Sequence, residues 1–158
     1  MHLWIGLGSG LVVMIVAVTG AMYVFAEDIQ QVLREGAINI EPGVGETIPL
    51  SKLWEQTQAE LGRNDQLWAI DISNRPDKSW VFVGRRNSPE AITYFGLVDY
   101  YRSYYLNPYS GKLLAIYDEE FDFFNVVKLT HYSLLLNFPY GKPIVGISTI
   151  IVVLMLIS

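Results

Sequence analysis

The feature that most limits what this chain can fold into is its charge-free beginning. No Asp, Glu, Lys or Arg precedes Glu27, and residues 3–25 are almost entirely apolar. A helix that spans a bilayer needs about 20 such residues, and Trp4 and Tyr23 suit the aromatic belts at the two interfaces. A secretory signal peptide is the alternative, but its basic first region is missing and the apolar run is too long. We therefore predict a transmembrane helix over residues 1–26.

A second uncharged run closes the chain. Residues 143–158 read PIVGISTIIVVLMLIS, and at about 1.5 Å per residue a helix of this length is several ångströms too short for the hydrocarbon core. We interpret residues 141–158 as a second, incomplete transmembrane helix, and we expect the chain to be a fragment of a longer protein. All 11 Lys and Arg and all 16 Asp and Glu lie between residues 27 and 142.

Charge and composition exclude several classes of function. The net charge of -5 argues against a nucleic-acid-binding protein, because such proteins neutralise phosphates with basic residues. The chain has no cysteine, which excludes disulfides, thiolate metal sites and a cysteine nucleophile.

The charged middle carries both helical and strand patterns. Apolar residues at helical spacing are followed by short alternating runs separated by turn formers, which is typical of a small α+β domain. We place this domain at residues 27–120, and an amphipathic helix at the membrane interface over 121–140. The predicted elements of the domain are a helix over 51–61 ended by Gly62, a turn at 74–77, strands over 68–72 and 80–83, and a hairpin of 101–106 with 112–117.

The first apolar helix carries a strip of small residues headed by a histidine, His2. Two interpretations remain open. The strip is a helix-packing face, because small residues let two backbones approach closely, or it is a slot for a flat cofactor whose metal His2 binds. The strip consists of Gly6, Gly10, Ala17, Gly20 and Ala21.

Three stretches together resemble the PepSY-associated transmembrane protein family. They are HLWIGLGSGLVVMIVAVTGAMYVFAEDI, YYLNPYSGKLLA, and KLTHYSLLL followed by GKPIVGISTII. The resemblance implies a protein of the bacterial inner membrane, in which two transmembrane helices flank a small PepSY-like periplasmic domain. Members are similar to proteins with four spans, so the other half is absent from this chain.

Some members of that family resemble reductases that release iron from siderophores through membrane haems. His2 and His131 match the motif histidines, so the resemblance implies that they are the axial ligands of two haems. The first helix separates the two residues by most of the bilayer, and they therefore cannot share one iron. The alternative for His131 is a histidine of an interfacial helix, bonded to a carbonyl group or to water.

A weaker candidate site lies in the predicted domain. Arginines pair with anionic groups and aromatic rings stack on catecholates, so a face for a ferric chelate is one interpretation; packing on the sheet is the other. The residues concerned are Arg85, Arg86, Arg102, Tyr101 and Tyr105. An acidic run could attract Fe(III), but we interpret it as a solvated turn and a charge at a helix N-terminus. It consists of Asp118, Glu119, Glu120 and Asp122.

Two functions follow from these observations. The first is haem-dependent electron transfer to a periplasmic ferric-siderophore-type substrate. The second is a non-catalytic subunit of a larger inner-membrane complex, with a domain that binds a periplasmic partner. Both imply contact with the lipid bilayer and with further transmembrane helices, either of the same protein or of other subunits.

Overall fold

The computed structural model of the protein describes residues 2–43, 45–61, 66–88 and 90–158, with His2 described by its backbone alone. The chain divides into two compact units. The helical unit consists of Met1–Glu27, Ser88–Leu97 and Phe121–Ser158, and the sheet unit consists of Asp28–Asn87 and Val98–Glu120.

Two long apolar helices form the centre of the helical unit. Helix α1 covers His2–Tyr23 and α7 covers Phe138–Ile157, and both are long and apolar enough to cross a membrane. The start of α1 lies beside the end of α7, because Gly6 of α1 lies against the side chain of Met155 of α7. Most side chains of both helices are exposed, as lipid-facing helices require.

Helix α7 begins earlier than the sequence predicts. The expected boundary at residue 141 rests on Pro139 and Pro143 as helix breakers, but both lie inside α7. Pro139 occupies the first turn, where its missing N–H has no partner to lose. The helix therefore has 20 residues, or about 30 Å, which matches a hydrocarbon core.

Two shorter helices complete the helical unit. Helix α6 covers Phe123–Ser133 and is capped by Asp122, whose carboxylate accepts the backbone N–H of Asn125 at 3.0 Å. It is shorter than the predicted 121–140 because Leu134 and Leu135 take left-handed φ angles of 54° and 59° and turn the chain into α7. Helix α5, Tyr94–Leu97, lies in the connection between two strands of the sheet unit.

The sheet unit contains an antiparallel sheet in the order β1-β2-β3-β4. One face packs against α4, where Leu53 and Phe82 are fully buried. The elements of this unit, beginning with the helix that continues from α1, are α2 Ala26–Leu33, α3 Glu35–Ile38, α4 Leu50–Glu60, β1 Leu67–Asp71, β2 Trp80–Asn87, β3 Val98–Leu106 and β4 Leu113–Asp118.

The predicted α+β architecture is confirmed. Strands β3 and β4 form the predicted hairpin around residues 107–111, and α4 lies within one residue of the predicted helix. Gly62, the expected end of that helix, lies outside the described residues. The short helices α3 and α5 are not predicted by the sequence, because each has four residues and too few positions to show a helical period.

Candidate functional site

The imidazole of His131 packs against α1 within the helical unit. A Cβ built at Gly20 would lie 2.8 Å from Cε1 and 3.0 Å from Nδ1 of this ring, so the ring occupies space that any other residue at position 20 would need. Nδ1 lies 2.8 Å from the carbonyl oxygen of Val16, one turn earlier in α1. The half-buried histidine is thereby held at the surface of α1.

This hydrogen bond defines the tautomer of the neutral ring. A backbone carbonyl oxygen can only accept, so Nδ1 of His131 carries the hydrogen and donates it to Val16. In the neutral imidazole Nε2 is then the nitrogen with the free lone pair. Within the described residues no protein group forms a hydrogen bond with Nε2. A bond from Nδ1–H to a carbonyl group is the arrangement that orients metal-binding histidines.

The end of α6 is held closely against the start of α7. A Cβ at Gly141 would overlap the carbonyl oxygen and the side chain of Ser133, which is fully buried. The left-handed Leu134 donates its backbone N–H to Thr130 O at 2.9 Å. This tight turn begins three residues after His131 and limits how far the histidine can move relative to α7.

The structure divides the predicted strip of small residues. Gly20 contacts His131 and Gly6 contacts Met155, whereas Gly10 has open space at its Cβ position and Ala17 and Ala21 are exposed. The strip is therefore not one continuous packing face. The residues of α1 that contact the neighbouring helices are Gly6, Val16 and Gly20, and Ser9 is buried. These positions mix polar and apolar residues of different sizes, so the sequence alone does not mark them as one face.

His2 begins α1 but its side chain lies outside the described residues. It is 18 residues from Gly20, or about 27 Å along the helix axis, so the two histidines lie toward opposite ends of α1. A groove of about 630 Å³ lies beside Gly6 and Gly10, with Val152 and Met155 on its other wall. Its lining is apolar, and the role of His2 stays a prediction.

The five residues predicted to face a substrate do not share one surface. In the β2–β3 register Arg85 lies opposite Tyr101, and Arg86 opposite Tyr100, and successive residues of a strand point to opposite faces. One face thus presents Arg85, Tyr101 and Tyr105, and the other presents Arg86 and Arg102.

The arginines of this group also have partners. Arg86 pairs with Asp99 at 3.5 Å and Arg102 with Asp118 at 3.7 Å, while the Arg85 guanidinium lies 5.1 Å from the centre of the Tyr101 ring. Tyr105 is buried. The five residues therefore lie on two faces of the sheet, and their role in binding a ferric chelate stays a prediction.

A buried ion pair between Arg34 and Glu119 is not predicted by the sequence. The guanidinium donates two hydrogen bonds to the carboxylate, at 2.6 and 3.1 Å, and one of 3.3 Å to the hydroxyl of Tyr105. It also lies 4.5 Å from the centre of the Tyr117 ring. Glu119 is therefore not part of a solvated turn, and no local pattern indicates this, because its partner is 85 residues away.

The surroundings of Arg34 keep it charged. Burial alone would lower its pKa, but the hydrogen bonds with Glu119 and Tyr105 and the negative charge of Glu119 outweigh burial and raise the pKa above its ordinary value. The pair has a structural role on the sheet face opposite α4, since both members are occupied with each other.

Among the described residues no group of three or more His, Asp or Glu side chains could hold a metal ion. A metal bound near His131 would therefore be held through this one nitrogen, as the iron of a prosthetic group is. The lone pair on Nε2 and the ring seated over Gly20 fit such a group.

Comparison with known families gives one result that covers the chain. The model of the PepSY-associated TM region matches residues 1–158, while no curated protein matches. The two apolar helices and the sheet between them agree with this assignment. The chain thus belongs to the PepSY-associated TM region family and is a membrane protein.

Proposed function

We propose that the protein takes part in haem-dependent electron transfer across the bacterial inner membrane, to a ferric-siderophore-type substrate on the periplasmic side. The observation that carries this proposal is the 2.8 Å hydrogen bond between Nδ1 of His131 and the Val16 carbonyl oxygen. It assigns the hydrogen to Nδ1 and the lone pair to Nε2, which is the form of imidazole that binds iron.

The position of His131 supports the same function. A polar side chain at a membrane-embedded helix contact is costly, and such residues usually have a functional role. For His131 the hydrogen bond from Nδ1 to the Val16 carbonyl group reduces the cost of burying a polar atom. Within the described part of the chain no protein group forms a hydrogen bond with Nε2. Simple packing at this contact would be satisfied by an apolar side chain.

In this proposal His131 holds one haem and His2 holds a second near the other end of α1. Haem iron supplies reversible one-electron transfer when it is bound. The protein supplies one nitrogen ligand at each position, the orientation of the His131 ring through Val16, and space for that ring at Gly20. The sheet unit lies in the periplasm, where the substrate is met, and further spans supply the remaining ligands.

The first test measures haem in the full-length protein purified from membranes. His131→Ala and His2→Ala should each remove about half of the Soret absorbance, because each iron loses one ligand, and the double variant should remove nearly all of it. Reduction of a ferric chelate by cells should fail in each single variant. A wild-type protein that shows no Soret band in its natural membrane assembly would end the proposal.

A matched pair of glycine variants tests the role of the α1 surface. Gly20→Ala places a methyl group where it must displace the His131 ring, whereas a Cβ at Gly8 meets nothing within 4 Å. Gly20→Ala should shift the Soret maximum or lower the haem content, and Gly8→Ala should leave both unchanged. Equal spectra for the two variants would show that the ring position does not matter to the iron.

The alternative function is a non-catalytic subunit of a larger inner-membrane complex whose sheet unit binds a periplasmic partner. It is favoured by open space around the helices, since Cβ atoms at Gly8, Gly10 and Gly146 would meet nothing within 4 Å. Small residues at such positions let another helix approach closely. A haem-free protein that purifies with other membrane subunits would support this function.

A further inference from the structure

The connection between β2 and β3 belongs to the helical unit, although its sequence lies inside the predicted soluble domain. Residues 88–97 bond to the turn that joins α6 to α7: Tyr94 donates its N–H to Leu135 O at 2.8 Å, and Asn137 donates its N–H to Ile92 O at 2.7 Å. The side chain of Asn137 adds a bond of 2.9 Å to Ala91 O. The connection is thus fixed to the start of a membrane-spanning helix.

A buried side chain strengthens this attachment. The ring of Tyr94 is 3% exposed, and its hydroxyl accepts a hydrogen bond of 2.8 Å from the side chain of Asn125 in α6. Asn125 of α6 thus helps to hold this connection. Residues 88–97 are therefore held by both α6 and the α6–α7 turn.

The exposed surface of residues 88–97, together with that of the neighbouring Phe121, is apolar. Ile92 is 61% exposed and Phe121 is 66% exposed, and the rings of Phe121 and Phe95 stack with centres 5.7 Å apart. Contiguous exposed apolar surface of this kind usually marks an interaction site. We call the exposed side chains of Ile92, Phe95, Phe121 and Phe123 the apolar patch.

The patch lies at the level where α7 enters the bilayer. Ile92 is bonded to Asn137, the residue immediately before α7. In the first turns of α7, Phe138 and Tyr140 are exposed and the ammonium of Lys142 lies 4.3 Å from the centre of the Phe138 ring. Aromatic residues with a lysine that extends toward the headgroups are typical of the membrane interface.

The backbone of the connection suits a low-dielectric environment. Leu97 N–H bonds to Thr93 O at 3.0 Å and Ser88 N–H bonds to Leu97 O at 2.7 Å, in addition to the bonds to the α6–α7 turn. Backbone groups near the hydrocarbon region need internal partners of this kind. Glu90 is the single charged residue of positions 88–97.

We propose that the apolar patch is a membrane anchor that inserts into the lipid interface beside the start of α7. The occupant is lipid, because the patch continues the exposed apolar surface of a helix that already lies in the bilayer. The anchor fixes the β2–β3 connection, which belongs to the helical unit, at the membrane surface. This inference goes beyond the proposed electron transfer and does not depend on it.

The absence of cysteine from the chain makes site-directed spin labelling a direct test. Ile92→Cys, Phe95→Cys and Phe121→Cys are labelled with a nitroxide in the full-length protein, in vesicles of phosphatidylethanolamine and phosphatidylglycerol. Collision rates are measured with oxygen, which partitions into lipid, and with a water-soluble nickel chelate. Val18→Cys, exposed on α1, is the lipid reference, and Asn74→Cys, in an exposed turn of the sheet unit, is the water reference.

We expect the ratio of oxygen to nickel collisions at the three patch positions to be several-fold higher than at Asn74, and close to that at Val18. A ratio like that of Asn74 would place the patch in water and overturn the proposal. Labels shielded from both reagents would indicate a protein partner instead, which would also overturn it.

A second measurement uses the unaltered protein, so that it does not depend on the folding of the variants. A phospholipid with a photoreactive diazirine near its headgroup is incorporated into the same vesicles and activated by light. Peptides that contain residues 88–97 and 121–123 should carry lipid adducts, as should the start of α7. Adducts on α7 without any on these peptides would contradict membrane insertion of the patch.

Discussion

The helical unit and the sheet unit place their apolar side chains in opposite ways. In the sheet unit Phe82 is completely buried, beside Trp54 of α4 with ring centres 6.2 Å apart. In the helical unit Ile150, in the middle of α7, is 60% exposed. The sheet unit is stabilised by removing apolar surface from water, whereas the helical unit has lipid as its solvent and gains nothing from hiding such surface.

Polar groups show the complementary difference. The sheet unit buries the ion pair of Arg34 with Glu119. Two hydrogen bonds join the pair, and Arg34 donates a further one to the Tyr105 hydroxyl. The helical unit instead uses close backbone contacts and single polar bonds, such as His131 to Val16 O. The sheet unit thus pairs the charges that it buries beside its apolar core, whereas the helices are held by close contacts at small residues.

The largest effect is expected from breaking the buried ion pair. Glu119→Ala leaves the Arg34 guanidinium buried without its carboxylate, and removing one partner of such a pair costs about 3–5 kcal/mol of unfolding free energy. Urea unfolding followed by tryptophan fluorescence measures this, since Trp54, Trp68 and Trp80 lie in the sheet unit.

The matched control is the exposed pair of Arg75 with Asp77, whose closest N–O distance is also 2.6 Å. Asp77→Ala should leave the unfolding midpoint almost unchanged, because both charges remain hydrated. If the two variants are equally stable, burial is not what gives the Arg34–Glu119 pair its strength.

A smaller effect is expected from filling the contact between α6 and α7. Gly141→Ala places a methyl group against Ser133, and overpacking of this kind typically costs about 1–3 kcal/mol. Gly146→Ala is the control on the same helix, since a Cβ there meets nothing within 4 Å. Unfolding in mixed micelles should show a loss for the first variant and no loss for the second; equal behaviour would mean that the helices are not held by this close approach.

The smallest effect concerns pH and the acidic edge of the sheet unit. Partial burial, and then the charges of Asp118 and Asp99, raise the pKa of Glu120 above its ordinary value of 4.5. The folded state therefore binds this proton more strongly than the unfolded state, and the resulting stabilisation is lost as pH rises from about 4.5 through the folded pKa. Glu120→Gln should be slightly more stable than the wild type at pH 7, with a flatter pH profile in this window.

The pKa of Asp77 is shifted in the opposite direction to that of Glu120. Its hydrogen bond from Arg75 lowers its pKa below 3.8, so its contribution is present above pH 3.8 and is lost as pH falls through the folded pKa. Asp77→Asn should thus flatten the dependence of stability on pH below pH 3.8. Glu120→Gln should flatten it above pH 4.5. Identical profiles for the two variants would show that these carboxylates do not titrate as their surroundings indicate.

Much of the fold could be predicted from local patterns. The charge-free start indicates α1, and NPYSG between two strand-forming runs indicates the β3–β4 hairpin. Patterns failed where two segments far apart in the chain decide the outcome. Pro139 and Pro143 indicate helix breakers, but Pro139 lies in the first turn of α7, which tolerates a proline, and Pro143 lies inside the helix. Residues 88–97 are predicted as part of the α+β domain, but they belong to the helical unit.

The candidate site shows the same limit. His131 could be selected from the sequence as a candidate ligand, since His2 is the only other histidine in the chain. The strip of small residues can be read from the sequence, but not its division in the structure, where Gly20 contacts His131 while Ala17 and Ala21 are exposed. Which glycine faces the histidine depends on the rotation of α1 against α6, which no periodicity within α1 can fix.

That two apolar helices flank an acidic α+β segment follows from the order of residues alone, because a charged residue is costly in a bilayer and uncharged runs therefore mark the spans. Three contacts could be known only from the folded chain: Val16 O accepts the hydrogen of His131, Glu119 pairs with Arg34, and the β2–β3 connection bonds to the α6–α7 turn. These contacts depend on distance and direction between residues far apart in the chain, and a hydrogen bond forms only where both are right.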